Sequence, residues 1–354
     1  MPSINTVTVN GAHEWRQTYN YVVFAAIQQM ASSETSLTDN ISAKWSSLSF
    51  EEFCETADAF VWLGCRSILR ERHPAVISFL NEVASEKIKR NPVYASDCRK
   101  QKRSAKNSTD AKEPEVRNLL TSLHSWGLLD DYIVPSKEEQ REIRIQIEEA
   151  LEFLRENSPE DYSDICSFID FVVPIGSEID RRTHHSFSLS RGPGIIFTSL
   201  ARDRIRAAEA LVHETGHNIL NPAFDLDLIY AGDTGSNLYS PWRPDARPLS
   251  GLIHATFVFC KVLSLLNRID FSEESEQDFW RSRIALIHRQ LRIALVQINA
   301  HPLKELGKSL MDECNALLRS IKPSSANDHV ELLISDHMDQ WRRTHPNLEL
   351  QELS

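Results

Sequence analysis

The chain has 354 residues, of which 41% are hydrophobic, and its formal net charge is −11. A chain of this length and composition buries the core of one large or two ordinary domains, which excludes a largely disordered protein. The acidic balance argues against a nucleic-acid-binding surface, which requires clustered Lys and Arg.

The sequence also bounds the setting of the protein. No apolar run approaches the roughly 18–20 residues of a membrane-spanning helix, and the N-terminal residues lack the charged-then-apolar order of a signal peptide. We therefore expect a soluble, cytoplasmic protein without a membrane partner. The six cysteines are scattered and form no CxxC pair, so we expect most of them to be reduced.

The first part of the chain is predicted to be separate from the catalytic part. Residues 1–95 carry apolar side chains at helical spacing, which predicts an N-terminal helical region. Residues 96–113 include six basic side chains and hardly any apolar ones, which predicts a mobile linker or loop. The remaining residues, 114–354, are predicted to form the catalytic region.

Helices and short strands are predicted between this linker and the central motif. A short helix is predicted over Glu115–Leu129, and Ser136 with Glu139 forms a capping box that predicts the start of another helix. After Pro159 the periodicity changes, and three short strands are predicted at Phe168–Val173, Ser186–Ser190 and Ile195–Phe197. We therefore expect a mainly α (α+β) protein with a small β-sheet before the motif helix.

The segment Ala207–Leu220, AAEALVHETGHNIL, holds an HExxH pattern of His213, Glu214 and His217. It is predicted to be a helix that Asn221-Pro222 ends. Residues four apart project from one face of a helix, so the two imidazoles can meet one metal ion. The pattern also occurs by chance on solvated amphipathic helices. The apolar residues and the β-like run before it favour a metal site.

Beyond the motif the chain is predicted to be a loop followed by helices. Residues 221–247 are rich in Asp, Gly, Pro and Ser but keep aromatic side chains, which predicts an ordered loop of the kind that is usually functional. Four further amphipathic helices are predicted at Leu249–Leu266, Phe279–Ile298, Leu303–Ile321 and Val330–Trp341.

A catalytic metal requires a third protein ligand besides two histidines. The preferred candidate is His254, in the first turns of the apolar helix after the loop, although a lone histidine on an apolar face is commonly a core residue. Acidic residues at the start of a helix also interact favourably with the helix dipole, and aspartates in loops also stabilise turns. With these alternative roles, the other candidates are Glu274, Asp278, His184, His185, Asp225, Asp227 and Asp233.

The combination of GPGIIFTS, AEALVHETGHNIL and SPWRPDARPLSGLIHATFVF resembles the HExxH-motif α-ketoglutarate-dependent peptide β-hydroxylases of bacterial peptide natural-product biosynthesis. The resemblance covers Ser186–Leu266, about a quarter of the chain. It implies an Fe(II) oxygenase that hydroxylates the β-carbon of a residue in a ribosomally synthesised precursor peptide. It further implies that His213, His217 and His254 ligate the iron, unlike the usual two-histidine, one-carboxylate triad, and that Glu214 tunes the polarity of the site.

The co-substrate that the resemblance implies, 2-oxoglutarate, suits an arginine. A diacid that chelates iron at one end leaves its distal carboxylate for a planar guanidinium, which binds it through two hydrogen bonds. Arg247 is the preferred partner and Arg243 the next, because both lie in the loop before His254. Salt bridges to Asp245 and its neighbours are the alternative role of both arginines.

Two other functions are compatible with the motif. A zinc metallopeptidase would use His213 and His217 as ligands and Glu214 as the general base that activates water. A catalytically inactive peptide-binding or carrier protein would keep a structural metal. The oxygenase and the peptidase differ at Arg247, because only the oxygenase needs 2-oxoglutarate.

Overall fold

The computed structural model describes Ser49 and residues 132–169, 171–177, 183–190, 194–225, 228–231, 237–271, 274–322 and 328–348. The predicted N-terminal region, linker and helix Glu115–Leu129 lie outside the described residues. In the described part the protein is mainly helical, with seven helices and a small three-stranded sheet, as expected. It falls into two compact units, one ending at Asn221 and one beginning at Pro222.

The first unit carries the sheet. Its elements in order are β1 (Tyr132–Ile133), α1 (Lys137–Asn157), α2 (Pro159–Phe168), β2 (Phe171–Pro174), β3 (Gly176–Ser177), β4 (Ser186–Phe187), β5 (Ile195–Thr198) and most of α3 (Arg204–Asp225). Strand β5 lies parallel to β2 and antiparallel to β4, so β4 is an edge strand of this sheet, and β1 pairs with β3 separately. Residues 195–197 are 0% exposed, so both faces of β5 are covered.

The elements before the motif confirm one prediction and correct another. The capping box of α1 is present: Ser136 Oγ accepts from the Glu139 N–H at 3.2 Å, and Glu139 accepts from the Ser136 N–H at 2.8 Å. The strand predicted from Phe168 begins only at Phe171. Residues 159–168 form a helix instead, and Pro159 is compatible with it because the proline occupies the first turn, where a missing N–H removes no hydrogen bond.

Helix α3 extends beyond the predicted segment Ala207–Leu220 at both ends. Asp203 caps it, since its Oδ1 accepts from the Arg206 N–H at 2.8 Å. The prediction that Asn221-Pro222 ends the helix is wrong, because α3 continues to Asp225. Leu220 and Ala223 are both 0% exposed, and this apolar burial offsets the roughly 3 kcal/mol that an interior proline costs.

The second unit consists of the four predicted C-terminal helices, α4 (Leu249–Leu266), α5 (Glu274–Asn299), α6 (Glu305–Ser320) and α7 (Asp328–Thr344). Helix α4 packs against α5 and α6, and α7 packs against α5. Contrary to expectation, α4 is long and apolar enough to cross a membrane by length and composition, and it is the one such helix in the described ranges. It is 72% buried inside the fold, as is typical of the core helix of a soluble protein.

The described cysteines differ in state. Cys260 on α4 and Cys314 on α6 are buried free thiols, in agreement with the expectation of reduced cysteines. Cys166 on α2, by contrast, is disulfide-bonded. The other three cysteines lie outside the described residues.

Candidate metal centre

The two motif histidines lie on the least buried stripe of a core helix. Between Ala207 and Phe224, every residue of α3 is buried except Glu209, His213, His217 and Phe224 itself. Their spacing keeps these four residues on one side of the helix. The HExxH pattern therefore does not lie on a solvated surface helix, which was the setting of a chance occurrence.

The rings of His213 and His217 are neighbours on this stripe. Their centroids are 5.0 Å apart, and their planes make an angle of 72°. This arrangement suits two ring nitrogens that converge on one ion, each about 2.1 Å from it. Both side chains are half-buried, so they are accessible to an ion from solvent. The donor set fits iron or zinc.

Glu214 is buried beside this pair and is held by the sheet. It is 3% exposed, its Oε1 accepts from Ser186 Oγ at 3.1 Å, and its Oε2 accepts from Ser188 Oγ at 2.8 Å. Burial raises the pKa of Glu214 to about 7, and the hydrogen bonds from the two serines partly oppose this shift. Both carboxylate oxygens are thus engaged away from bulk water.

Asn218 makes a second link between α3 and the sheet. Its Oδ1 accepts from the Gly194 N–H at 2.5 Å, and its Nδ2 donates to the Glu214 carbonyl at 2.9 Å. Gly194, just before β5, has a φ of 97°, a left-handed conformation that favours glycine. Each motif histidine is therefore followed directly by a residue that fastens α3 to the sheet.

Sequence reasoning missed these fastening residues. The available signal was the alternation Ser186-Phe187-Ser188, which places both serines on one face of a strand. Phe187 faces the other way and stacks on Phe197, with 4.9 Å between ring centroids.

His254, the predicted third ligand, is half-buried on α4. Its ring stacks on Phe224, with 4.2 Å between centroids and 18° between planes. Among the residues that the structure describes, no group of three or more His, Cys, Asp or Glu side chains is placed to hold a metal ion. The third ligand therefore stays a prediction.

The alternative third ligands have other surroundings. His184 Nε2 lies 3.0 Å from Thr198 Oγ1, and burial lowers the pKa of His184 to about 4. Asp278 is exposed on the first turns of α5 and pairs with Arg281. The side chains of Glu274 and of the three aspartates at 225, 227 and 233 lie outside the described side chains.

Arg247 lies on a fixed backbone just before α4. It exchanges two backbone hydrogen bonds with Leu238, of 2.7 and 2.9 Å. Its aliphatic stem covers Gly251, where an added Cβ would lie 3.6 Å from Arg247 Cδ. Its Nε lies 2.8 Å from Asp245 Oδ2, so the alternative role as a salt-bridge partner is confirmed. Arg243 is exposed.

Of the predicted loop 221–247, residues 221–225 belong instead to α3, and the described part near Tyr239 is hydrogen-bonded to the C-terminal helices. Gln297 of α5 accepts from the Tyr239 N–H at 3.1 Å and donates to the Tyr239 carbonyl at 3.0 Å. The Tyr239 hydroxyl lies 2.8 Å from Nδ1 of His337 on α7. The loop is thus fastened to two helices before it reaches Arg247.

No protein-family model matches this chain, and neither does any curated protein.

Proposed function

We propose that this protein is an Fe(II)- and 2-oxoglutarate-dependent dioxygenase that hydroxylates the β-carbon of a residue in a ribosomally synthesised peptide. The observation that carries the proposal is that both carboxylate oxygens of Glu214 accept hydrogen bonds from Ser186 and Ser188. A zinc peptidase needs this carboxylate to take a proton from water at the metal. Its engagement by the sheet favours a supporting role over one in hydrolysis.

His213 and His217, with His254, are the residues that would hold the ion. His254 is assigned to the ion from the resemblance; within the second unit its ring stacks on Phe224. Imidazole suits iron and zinc alike, so the choice of iron depends on the resemblance and on Glu214. Bound iron would supply the activation of O2, with one oxygen atom going to the peptide C–H bond and one to succinate as 2-oxoglutarate loses CO2.

Arg247 is the proposed partner of the distal carboxylate of 2-oxoglutarate. Its stem lies over Gly251, one helical turn before His254, so the stem covers the face of α4 from which His254 projects. The ion pair with Asp245 is made through Nε and not through the two terminal nitrogens of the guanidinium. The two terminal nitrogens of the fork are the groups that we assign to the carboxylate.

The proposed partner is an extended precursor peptide, made in the cytoplasm, that pairs with the edge of β4. Ser186 of this edge strand contacts Glu214, the neighbour of His213. A strand added there would run about 4.8 Å from β4. Proline substitutions along the peptide backbone should weaken binding in a fluorescence anisotropy assay, and unchanged affinities would argue against this mode of pairing.

The proposal is tested with Fe(II), 2-oxoglutarate and precursor peptides from the genomic neighbourhood. We expect a mass increase of one oxygen atom that requires all three components and is accompanied by equimolar succinate. Peptide cleavage that proceeds with Zn(II) and without 2-oxoglutarate would instead identify the protein as a metallopeptidase with Glu214 as its base.

A further inference from the structure

We infer that Ser186, Ser188 and Asn218 are positioning residues that aim His213 and His217 at a common metal ion. The inference rests on the metal site of the proposed function but not on its oxygen chemistry. It assigns a purpose to three side chains that neither the motif nor the proposed reaction uses directly.

The geometry of α3 places two parallel pairs on its surface. His213 and His217 are four residues apart, and so are Glu214 and Asn218, which makes each pair a stripe on one face. One position along an α-helix is a rotation of about 100°. The ligand stripe, His213 with His217, and the fastened stripe, Glu214 with Asn218, therefore lie side by side. The position of one stripe determines the position of the other.

The hydrogen bonds of the fastened stripe restrain the orientation of α3, which apolar packing alone does not. Three hydrogen bonds join it to the sheet, from Ser186 and Ser188 to Glu214 and from Gly194 to Asn218, at 3.1, 2.8 and 2.5 Å. Apolar burial tolerates sliding and rotation of a helix, whereas hydrogen bonds weaken steeply away from their preferred angles. These bonds thus fix the rotation of α3 about its axis.

A fixed rotation matters because metal coordination has narrow tolerances. Ligand distances must hold within about 0.2 Å, and residues that orient metal ligands commonly change metal affinity about 10- to 100-fold when they are mutated. Without the fastening, both imidazoles would move together and away from any ligand contributed by another element. Metal affinity is therefore the property that should fall first.

A matched control lies on the same helix. Thr215 is 0% exposed, and its hydroxyl donates to the Leu211 carbonyl within α3 at 2.7 Å. Thr215→Val removes a buried hydroxyl of the motif helix without touching a bond to the sheet. This variant shows how the loss of a buried hydrogen bond alone changes Co(II) affinity and stability.

The test measures Co(II) affinity by competition with a chelator, together with urea unfolding of the metal-free protein. We expect S186A/S188A and Asn218→Leu to bind Co(II) at least about tenfold more weakly, while Thr215→Val keeps its affinity at a comparable loss of stability. The S186A/S188T variant keeps one of the two hydroxyl groups and should therefore bind Co(II) more tightly than S186A/S188A. If S186A/S188A fails to fold, the single Ser188→Ala variant is compared instead.

Equal Co(II) affinities in the serine and Asn218 variants and the unaltered protein would overturn the inference, as would an equal loss in Thr215→Val. Because Co(II) binding needs neither O2 nor 2-oxoglutarate, the inference and the proposed oxygenase fail separately. If the variants bind Co(II) more weakly but the protein never hydroxylates a peptide, the inference about the positioning residues holds and the proposed oxygenase function is wrong.

Discussion

On α3, the proposed metal ligands His213 and His217 lie beside Glu214 and Asn218, which attach the helix to the sheet. The first pair was predictable because its chemistry lies in local spacing. The second was not, because the partners of Glu214 and Asn218 lie 24 to 28 residues away in the sequence. Only the folded sheet brings these residues to α3.

Arg247 gives a prediction at the residue level. Replacing it with Ala removes the proposed bidentate contact, so the KM for 2-oxoglutarate should rise about 10- to 100-fold with a smaller change in kcat. The KM of Arg247→Lys should lie between those of the unaltered enzyme and Arg247→Ala, since lysine keeps the charge but lacks the planar guanidinium. Steady-state kinetics with varied 2-oxoglutarate measures this.

Arg243 supplies the comparison for that experiment. It is exposed in the same loop, and its N–H donates to the Ser240 carbonyl at 3.3 Å. We expect Arg243→Ala to leave the KM for 2-oxoglutarate within about threefold of the unaltered enzyme, as is common for surface contacts. A larger effect at Arg243 than at Arg247 would contradict the assignment of the carboxylate to Arg247.

His184 makes the stability of the protein depend on pH. Burial lowers its pKa from 6.5 to about 4 in the folded state, so the unfolded chain takes up the proton at higher pH. Its contribution is therefore fully present above pH 6.5 and is lost as the pH falls towards about 4, by up to about 3 kcal/mol. Urea unfolding between pH 7.5 and pH 4 should show a shallower decline for His184→Gln, and parallel curves would refute this account.

Among the secondary-structure elements, those with a clear period or cap were predictable. The capping box set the start of α1, and apolar periodicity located α4 to α7. Two of the errors involve proline, since Pro159 starts α2 and Pro222 lies inside α3, and the strand predicted over Ser186–Ser190 ends earlier, at Phe187. Proline disfavours a helix locally, but its effect depends on position in the turn and on burial, which packing decides.

Helix α6 begins against a closely packed backbone. A Cβ added at Gly307 would overlap the carbonyl oxygen of Ile229, which already accepts from the Lys304 N–H at 3.0 Å. We expect Gly307→Ala to lower the free energy of unfolding by about 1–3 kcal/mol, because the backbone must move to make room. Urea denaturation followed by circular dichroism measures the change.

Gly251→Ala is the matched variant for this prediction. A Cβ there would lie 3.6 Å from its nearest neighbours, an ordinary van der Waals distance, on the first turn of α4. Alanine favours a helix over glycine by up to about 1 kcal/mol, so we expect stability to be unchanged or slightly raised. Similar losses at both glycines would show that close approach to Ile229 is not the cause.

For the whole molecule, the fold class followed from the sequence and the division into units did not. Long amphipathic periods separated by a few β-like runs predicted a mainly helical protein with a small sheet. The boundary between Asn221 and Pro222 falls inside α3, without the polar, flexible composition that marks most domain boundaries. Such a boundary depends on contacts far apart in sequence.

The most direct test of the proposed chemistry is anaerobic reconstitution with Fe(II), followed by 2-oxoglutarate while the visible spectrum is recorded. The account predicts a weak charge-transfer band that requires Fe(II), is missing with Zn(II) and fades in Arg247→Ala at the same 2-oxoglutarate concentration. If no band forms and tightly held zinc persists through purification, the oxygenase proposal is contradicted and peptide hydrolysis with Glu214 as the base takes its place.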